Sequence, residues 1–377
     1  MANPLLFTPY TLRGVTLRNR VVLSPMCQYL AEDGLVNDWH LQHHARYATG
    51  GLGLAFVEAT AITRDGRITH GCLGLWDDAQ IPGMRRIVEG YHRYGIKAAV
   101  QIGHAGRKAS TERPWDGAGS IPARDHEGPW ETVAPSALPG RPDWHVPRAL
   151  GANEIPALID AFRDAARRAL AAGFDMVEIH GAHGYLIHSF VSPLSNRRDD
   201  EWGGDLARRI RFPLLVAEAI REVWPADRPL LYRCSVQDGA PGGSTLEDSA
   251  TLARELKARG VDLFDCSSGG MLSAATLGNL HPGPGHQVPL AKAMREMAGI
   301  PTMAVGFITE PRQAEAILRE GSADLIAIGR ELIADPYWAY HAALALGANN
   351  PHALLPGGYG WYLARRAALQ RASAPAA

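Results

Sequence analysis

Two histidines and a tyrosine fall close together in the run His180-Gly181-Ala182-His183-Gly184-Tyr185. Two imidazole N–H groups converging on one oxygen can polarise a carbonyl or stabilise a developing oxyanion. A phenol two residues further on is placed to deliver a proton. The same HxxH spacing also fits a pair of metal ligands, which would want a third ligand and an activated water. A third possibility is purely structural, a hydrogen-bonded histidine at the end of a strand. Paired donors beside a tyrosine suit carbonyl activation and protonation better than zinc, so no metal site is expected.

Other polar groups sit just past short apolar runs. The first run ends in Ser24-Pro25-Met26-Cys27, with Gln28 and Tyr29 beyond, and the second near Ala59-Thr60. The third ends in Gln101-Ile102-Gly103-His104, and the fifth in Tyr232-Arg233-Cys234-Ser235. The sixth carries Cys266-Ser267-Ser268-Gly269-Gly270, the seventh Val305-Gly306-Phe307, and the eighth Ile328-Gly329-Arg330. Gly306 and Gly329 would let the backbone approach an anion closely. Arg330 adds a planar fork suited to phosphate. Together these groups point to a phosphorylated cofactor lying across one face of the fold.

The elements that must position these residues form a repeating pattern. The eight runs are Arg20–Ser24, Leu54–Ala61, Ala98–Ile102, Met176–His180, Leu230–Ser235, Leu263–Ser267, Thr302–Val305 and Leu325–Gly329. Most are continuous rather than alternating, as in strands buried on both faces. Helical patterns lie between them, the mark of a parallel α/β architecture. One helix shows the logic. Asn153 is the expected N-cap, the apolar face runs from Ile155 through Phe162 to Leu170, and Gly173 closes the helix in a left-handed cap. No GxGxxG turn follows any of the runs, which disfavours a dinucleotide-binding open sheet. The fold class expected is a single (β/α)8 barrel of the TIM type, whose chemistry sits at the carboxyl ends of the strands.

A barrel of this type needs about 250 residues, and the chain has 377. The surplus is assigned to an N-terminal hairpin cover over 1–19, an excursion over 104–150 and a tail over 340–377. The excursion carries seven prolines together with Trp115, Trp130 and Trp144, which suits a rigid, irregular cap over the barrel mouth. Lys and Arg number 38 against 39 Asp and Glu, a net charge of −1, so nothing favours nucleic acid or an acidic membrane surface. No apolar stretch is long enough to span a bilayer, and the first residues lack a signal-peptide pattern. Four scattered cysteines suggest no disulfide framework and fit the cytoplasm.

The motifs taken together resemble the old yellow enzyme family of flavin oxidoreductases, in its thermophilic-like or xenobiotic-reductase branch. The matching segments are Ser24–Tyr29, Gln101–Lys108, His180–Leu186, Ser192–Gly204 and Gly329–Leu332. They recur in order along nearly the whole chain. Trp202 stands where the family carries Tyr before the double glycine, and Cys234 follows Arg233 where relatives often have Val.

The resemblance implies non-covalent FMN and a nicotinamide, NADPH or NADH, as hydride donor. It places Ser24, Pro25, Met26, Cys27 and Ala59 around the flavin ring, Gln101 at its pyrimidine edge and Arg233 at its N1 side. It places Ser268, Gly269, Gly270, Gly306, Gly329 and Arg330 around the ribityl phosphate. His180 and His183 would hold the substrate oxygen and Tyr185 would supply a proton. Cys27, Tyr29 and Lys108 would line the substrate side. Trp361, in the tail, would close the site of a neighbouring subunit in a dimer or tetramer. The implied activity is reduction of the C=C bond of α,β-unsaturated carbonyls. The rival readings are a metal-dependent aldolase or lyase on the same barrel, and a flavin redox sensor without catalysis.

Overall fold

The structure is a computed structural model that describes residues 3–122, 128–271 and 283–373. Eight parallel strands close into a barrel. They are β1 (Val21–Leu23), β2 (Leu54–Ala61), β3 (Lys97–Gly103), β4 (Met176–Gly181), β5 (Leu230–Ser235), β6 (Leu263–Ser267), β7 (Thr302–Ala304) and β8 (Leu325–Ile328). Neighbours in sequence are neighbours in space, and β8 pairs with β1 to complete the ring. The eight expected strands are all present. Val305 and Gly329, expected inside strands, lie just beyond them, at the mouth.

Side chains alternate between the two faces of a strand, and this parity builds the barrel interior in layers. Val22, Leu54, Ala99, Met176, Leu231, Leu263, Met303 and Leu325 form one buried apolar floor. Each large aliphatic side chain sealed there contributes roughly 1.5–3 kcal/mol. A charge at Leu231 would break the floor, because the side chains of its own layer are all apolar. Two residues further along four strands come Gln101, Glu178, Arg233 and Asp265, one polar layer higher. Two more residues reach His180, Ser235 and Ser267. The parity that fills the floor therefore also aims the chemistry at the carboxyl ends.

The bottom is closed as the sequence suggested. Tyr10–Leu12 and Val15–Leu17 form an antiparallel hairpin, and its Leu12, Val15 and Leu17 pack into the floor. Eight outer helices follow the strands, at Asp38–Ala48, Ile81–His92, Ile155–Ala172, Arg211–Val223, Leu246–Ala258, Val288–Ala298, Pro311–Arg319 and Trp338–Ala345.

Two expectations need correction. The helix over Ile155–Ala172 is preceded by Glu154, not Asn153, at its N-cap. Glu154 instead accepts the Gly151 N–H at 2.7 Å and pairs with Arg148 at 2.8 Å. Gly173 does close the helix in a left-handed conformation, at φ 97°. The stretch assigned to a tail also begins too early. Trp338, Ala339, Tyr340, Ala342 and Ala343 are buried, so Trp338–Ala345 is the barrel's eighth helix. Beyond it, the helix Gly357–Ser373 buries only Gly360 among its described residues.

The excursion after β3 folds back over the mouth. Trp115 meets the Tyr29 ring edge-on at 6.0 Å, and Trp130 Nε1 donates to the Asp65 carbonyl at 2.7 Å. A two-residue parallel pairing of Val133–Ala134 with Arg148–Ala149 closes its later part on itself. Residues 123–127 of this excursion lie outside the described residues.

Candidate active site

The loop after β4 gathers the paired histidines. The His180 and His183 rings lie 5.1 Å apart between centroids, and Tyr185 is 4.9 Å from His180 and 6.5 Å from His183. The Ala182 N–H donates to His180 Nδ1 at 3.3 Å. That bond leaves the ring proton on Nε2, free to be donated. Burial first, and then the Arg233 charge, hold both imidazoles well below the usual histidine range. Both rings are therefore held neutral rather than cationic.

His183 adopts a left-handed backbone, at φ 59°, and is held from several sides. Its N–H donates to Ser235 Oγ at 3.0 Å, and its Nε2 meets Ser267 Oγ at 2.8 Å. Its carbonyl accepts from Lys108 Nζ at 2.7 Å. Lys108 also donates to the Gly270 carbonyl. Expected to face substrate, Lys108 instead joins the loops after β3, β4 and β6. Its ammonium is 5.9 Å from the Tyr185 ring, and burial pulls its pKa down to about 7.

Tyr185 is suited to keep its proton. Burial, followed by the nearby thiols of Cys27 and Cys72, raises the phenol above its usual range. Cys27 and Tyr29 are raised as well, Cys27 chiefly by burial and Tyr29 chiefly by Cys27. Ala59, Gly103, His104, His180 and Tyr185 line a cavity of about 20 Å³, room for a single water.

Deeper in the barrel, Gln101 Nε2 donates to Glu178 Oε1 at 2.7 Å. Arg233 Nε lies 3.2 Å from Asp265 Oδ2, and its Nη1 is 3.5 Å from Ser24 Oγ. At the ends of β7 and β8 a cavity of about 220 Å³ is lined by Gly306, Phe307, Thr309, Gly329, Arg330 and Glu331. The Arg330 guanidinium lies over the Phe307 ring at 4.4 Å. Gly306 sits at φ 114°, and a Cβ there would stand 3.0 Å from the His286 ring. Ser268 Oγ accepts from Gln287 Nε2 at 3.2 Å, and Gly269 offers its carbonyl to Ser235 Oγ at 2.8 Å. Met26 packs against Gly329, where an added Cβ would lie 3.3 Å from its sulfur.

These groups fit FMN. A phosphate-sized cradle with an arginine stands at one end, and an amide and a guanidinium stand at the other. Trp361 is not among them. Its helix leaves from Pro351–Leu354, which packs on Gly51 ahead of β2, at the opposite end of the barrel. Among the described residues, no cluster of three or more His, Cys, Asp or Glu side chains is placed to hold a metal ion.

A barrel with this donor set defines a flavin oxidoreductase. The chain belongs to the NADH:flavin oxidoreductase / NADH oxidase family, whose sequence profile matches residues 5–349. It is 46% identical over 347 residues to the NADPH dehydrogenase of Geobacillus sp. (strain WCH70), covering 92% of this chain and 95% of that protein. Among solved structures it is similar to morphinone reductase, with TM-score 0.75, 30% identity and 94% of each chain covered. It is also similar to the old yellow enzyme homologue from Zymomonas mobilis, with TM-score 0.72, 28% identity, and 88% and 90% of the two chains covered.

Sequence reading missed several residues that build the site. Glu178 and Asp265 lie inside runs taken as apolar. Their signal was a charge on the same parity as the inward Met176 and Leu263. Ser235 and Ser267 end their strands as ordinary polar residues, and only the structure brings them to His183. His188 and Asp238 are 50 residues apart in the chain, and no spacing links them.

Proposed function

We propose that the protein is an ene-reductase that takes hydride from NADPH and reduces the C=C bond of α,β-unsaturated carbonyls. The observation that carries this reading is the pair of histidine rings 5.1 Å apart with the Tyr185 ring 4.9 Å from His180, all at the carboxyl end of β4. Bound FMN supplies a two-electron relay between the nicotinamide and the alkene. Ser24, Pro25, Met26, Cys27 and Ala59 would hold the flavin ring, with Gln101 and Arg233 toward its polar edge. Ser268, Gly269, Gly270, Gly306, Gly329 and Arg330 would hold its phosphate. Arg233 would favour negative charge at that edge of the bound flavin.

His180 and His183 donate to the substrate carbonyl oxygen, where charge builds in the transition state. Tyr185 places its proton on Cα. Tyr29 and Cys27 border the alkene. The buried neutral donors cost no reorganisation when charge develops, which is why they are worth more here than in water. NADPH is the donor favoured by the similarity to NADPH dehydrogenases.

No described helix is long and apolar enough to cross a membrane. The four free cysteines suit the reducing cytoplasm, which we assign as its compartment. The exposed C-terminal helix supports a homo-oligomer in which Trp361 reaches a neighbour's site.

The test is anaerobic. NADPH should bleach the flavin band of the purified protein, and 2-cyclohexen-1-one should restore it. A protein that stays oxidised with NADPH, or stays bleached with the enone, overturns the reading.

A further inference from the structure

Two buried acids lie beneath the site, and the mechanism above does not use them. The strand register sets Gln101 beside Glu178, and Arg233 beside Asp265. Glu178 and Asp265 are fully buried, and Gln101 and Arg233 almost so. The layer below is the apolar floor. Glu178 Oε2 and both Asp265 carboxylate oxygens have no hydrogen-bond partner, and Asp265 Oδ2 meets Arg233 Nε as an ion pair only.

Charge counting restricts this cluster. Two ionised carboxyls with one guanidinium would leave a net negative charge in the interior, and an uncompensated buried charge costs several kcal/mol. One retained proton makes the cluster neutral. The geometry says which acid holds it. Asp265 has the ion pair with Arg233 at 3.2 Å, whereas Glu178 receives only the uncharged Gln101 amide at 2.7 Å.

We propose that Glu178 and Asp265 hold one negative charge and one proton between them, with Glu178 un-ionised at neutral pH. This neutral cluster fixes Gln101 and Arg233 beneath the flavin. The proposal rests on the reading that FMN lies across the barrel mouth. Both acids are positioning residues and do not touch the cofactor.

The surrounding charges agree. Burial, then the Asp265 charge, raise the Glu178 carboxyl well above the usual range, against the pull of Arg233 and Gln101. Burial raises Asp265 too, and Arg233 opposes it. Cys234 and Cys266 also feel Asp265, and burial keeps both un-ionised. His180 and His183 feel Arg233 and stay neutral.

Sharing predicts redundancy. Glu178→Gln removes an acid that is already neutral. Asp265→Asn passes the negative charge to Glu178. Only the double variant leaves Arg233 uncompensated.

The first readout is the affinity of holoprotein for reduced relative to oxidised FMN, taken from the flavin midpoint potential. Each single variant should change this ratio by less than about threefold. The double variant should raise it at least about tenfold, because a bare cation favours the anionic reduced ring. Single effects that multiply to give the double value overturn the proposal.

The second readout is the infrared C=O stretch of un-ionised carboxyl groups at pH 7. Glu178→Gln and Asp265→Asn should each lose the same band relative to wild type. A carbonyl region unchanged in Glu178→Gln overturns the proposal even if the double variant does not fold. Wild-type protein that binds no FMN would overturn the active-site reading instead, and the infrared comparison would still decide the sharing of the proton.

Discussion

His188 Nε2 stands 2.9 Å from Asp238 Oδ1, with both side chains sealed from solvent. On its other side, His188 Nδ1 accepts the Gly184 N–H at 2.9 Å. A ring that accepts at Nδ1 carries its proton at Nε2, facing the carboxylate. Asp238 Oδ2 in turn accepts the Ser192 hydroxyl and the Ser244 N–H, each at 2.7 Å. The pair therefore ties the residue before Tyr185 to the loop after β5.

His188→Leu should destabilise the protein by about 3–5 kcal/mol, because it strands a buried carboxylate. Urea unfolding measures this. The pH dependence has a definite sign. Burial acts to raise the Asp238 pKa, but the His188, Ser244 and Ser192 contacts outweigh it and hold the carboxyl below its ordinary value. A depressed carboxyl contributes stability above its unfolded pKa and loses it as pH falls through the folded one. Asp238→Asn should therefore flatten the loss of stability below about pH 4. An unchanged acid limb would contradict this role.

For His180→Ala, enone reduction should slow by about 10²–10³, the usual cost of losing one oxyanion donor. Flavin reduction by NADPH should change far less, since no substrate oxyanion forms in that half. Stopped-flow measurement of the two half-reactions separates them. Both histidines are held neutral, so the enone rate should show no imidazole titration near pH 6.5. Equal slowing of both half-reactions would remove the donor role.

Tyr185→Phe should slow the enone half-reaction by about 10²-fold, the low end for a general acid. The loss is smaller than for histidine because the adjoining cavity of about 20 Å³ can admit a water as a substitute donor. Product formed in D₂O should still carry deuterium at Cα. A wild-type rate in Tyr185→Phe would assign the proton to another group.

The barrel was legible because its signal is local. Strands such as Leu54–Ala61 and Leu230–Ser235 are runs of buried side chains, and their bounds could be read directly. His180, His183 and Tyr185 were legible because one short loop carries all three. Long-range contacts left no such trace. Lys108 reads as a residue of the substrate side until its ammonium is seen on the carbonyls of His183 and Gly270. Tyr340–Ala345 reads as the start of a tail because the segment is apolar nearly throughout and shows no single face. The Asn153 cap failed because Glu154 is drawn to Arg148 and Gly151, a contact outside the helix pattern.

Gly270→Ala should damage the site from a distance. Gly270 has φ 84°, and a Cβ there would lie 2.5 Å from the His183 Cα. Backbone cannot yield as a flexible side chain can, so the loops after β4 and β6 must separate. Left-handed backbone at a non-glycine residue adds a cost of about 1 kcal/mol or more. The expected result is weaker FMN retention on gel filtration and a lower unfolding temperature. Wild-type behaviour in both would show that the two loops are not in register through this contact.

The C-terminal helix Gly357–Ser373 presents Tyr359, Trp361, Tyr362 and Leu369 to solvent, each at least half exposed. Large apolar side chains exposed along one helix, with the Trp361 and Tyr362 rings 4.8 Å apart, suit an interaction site. A second copy of the chain is the partner proposed for it. Tyr362→Glu combined with Leu369→Glu should shift the sedimentation coefficient to a smaller species while leaving the circular dichroism of the barrel intact. Charges there cost nothing in an isolated subunit but must be desolvated in an interface. Trp361→Ala should raise KM for the enone and leave flavin reduction by NADPH unchanged, if the ring closes a neighbour's pocket. A charged double variant that sediments as wild type would show that this helix is not where subunits meet.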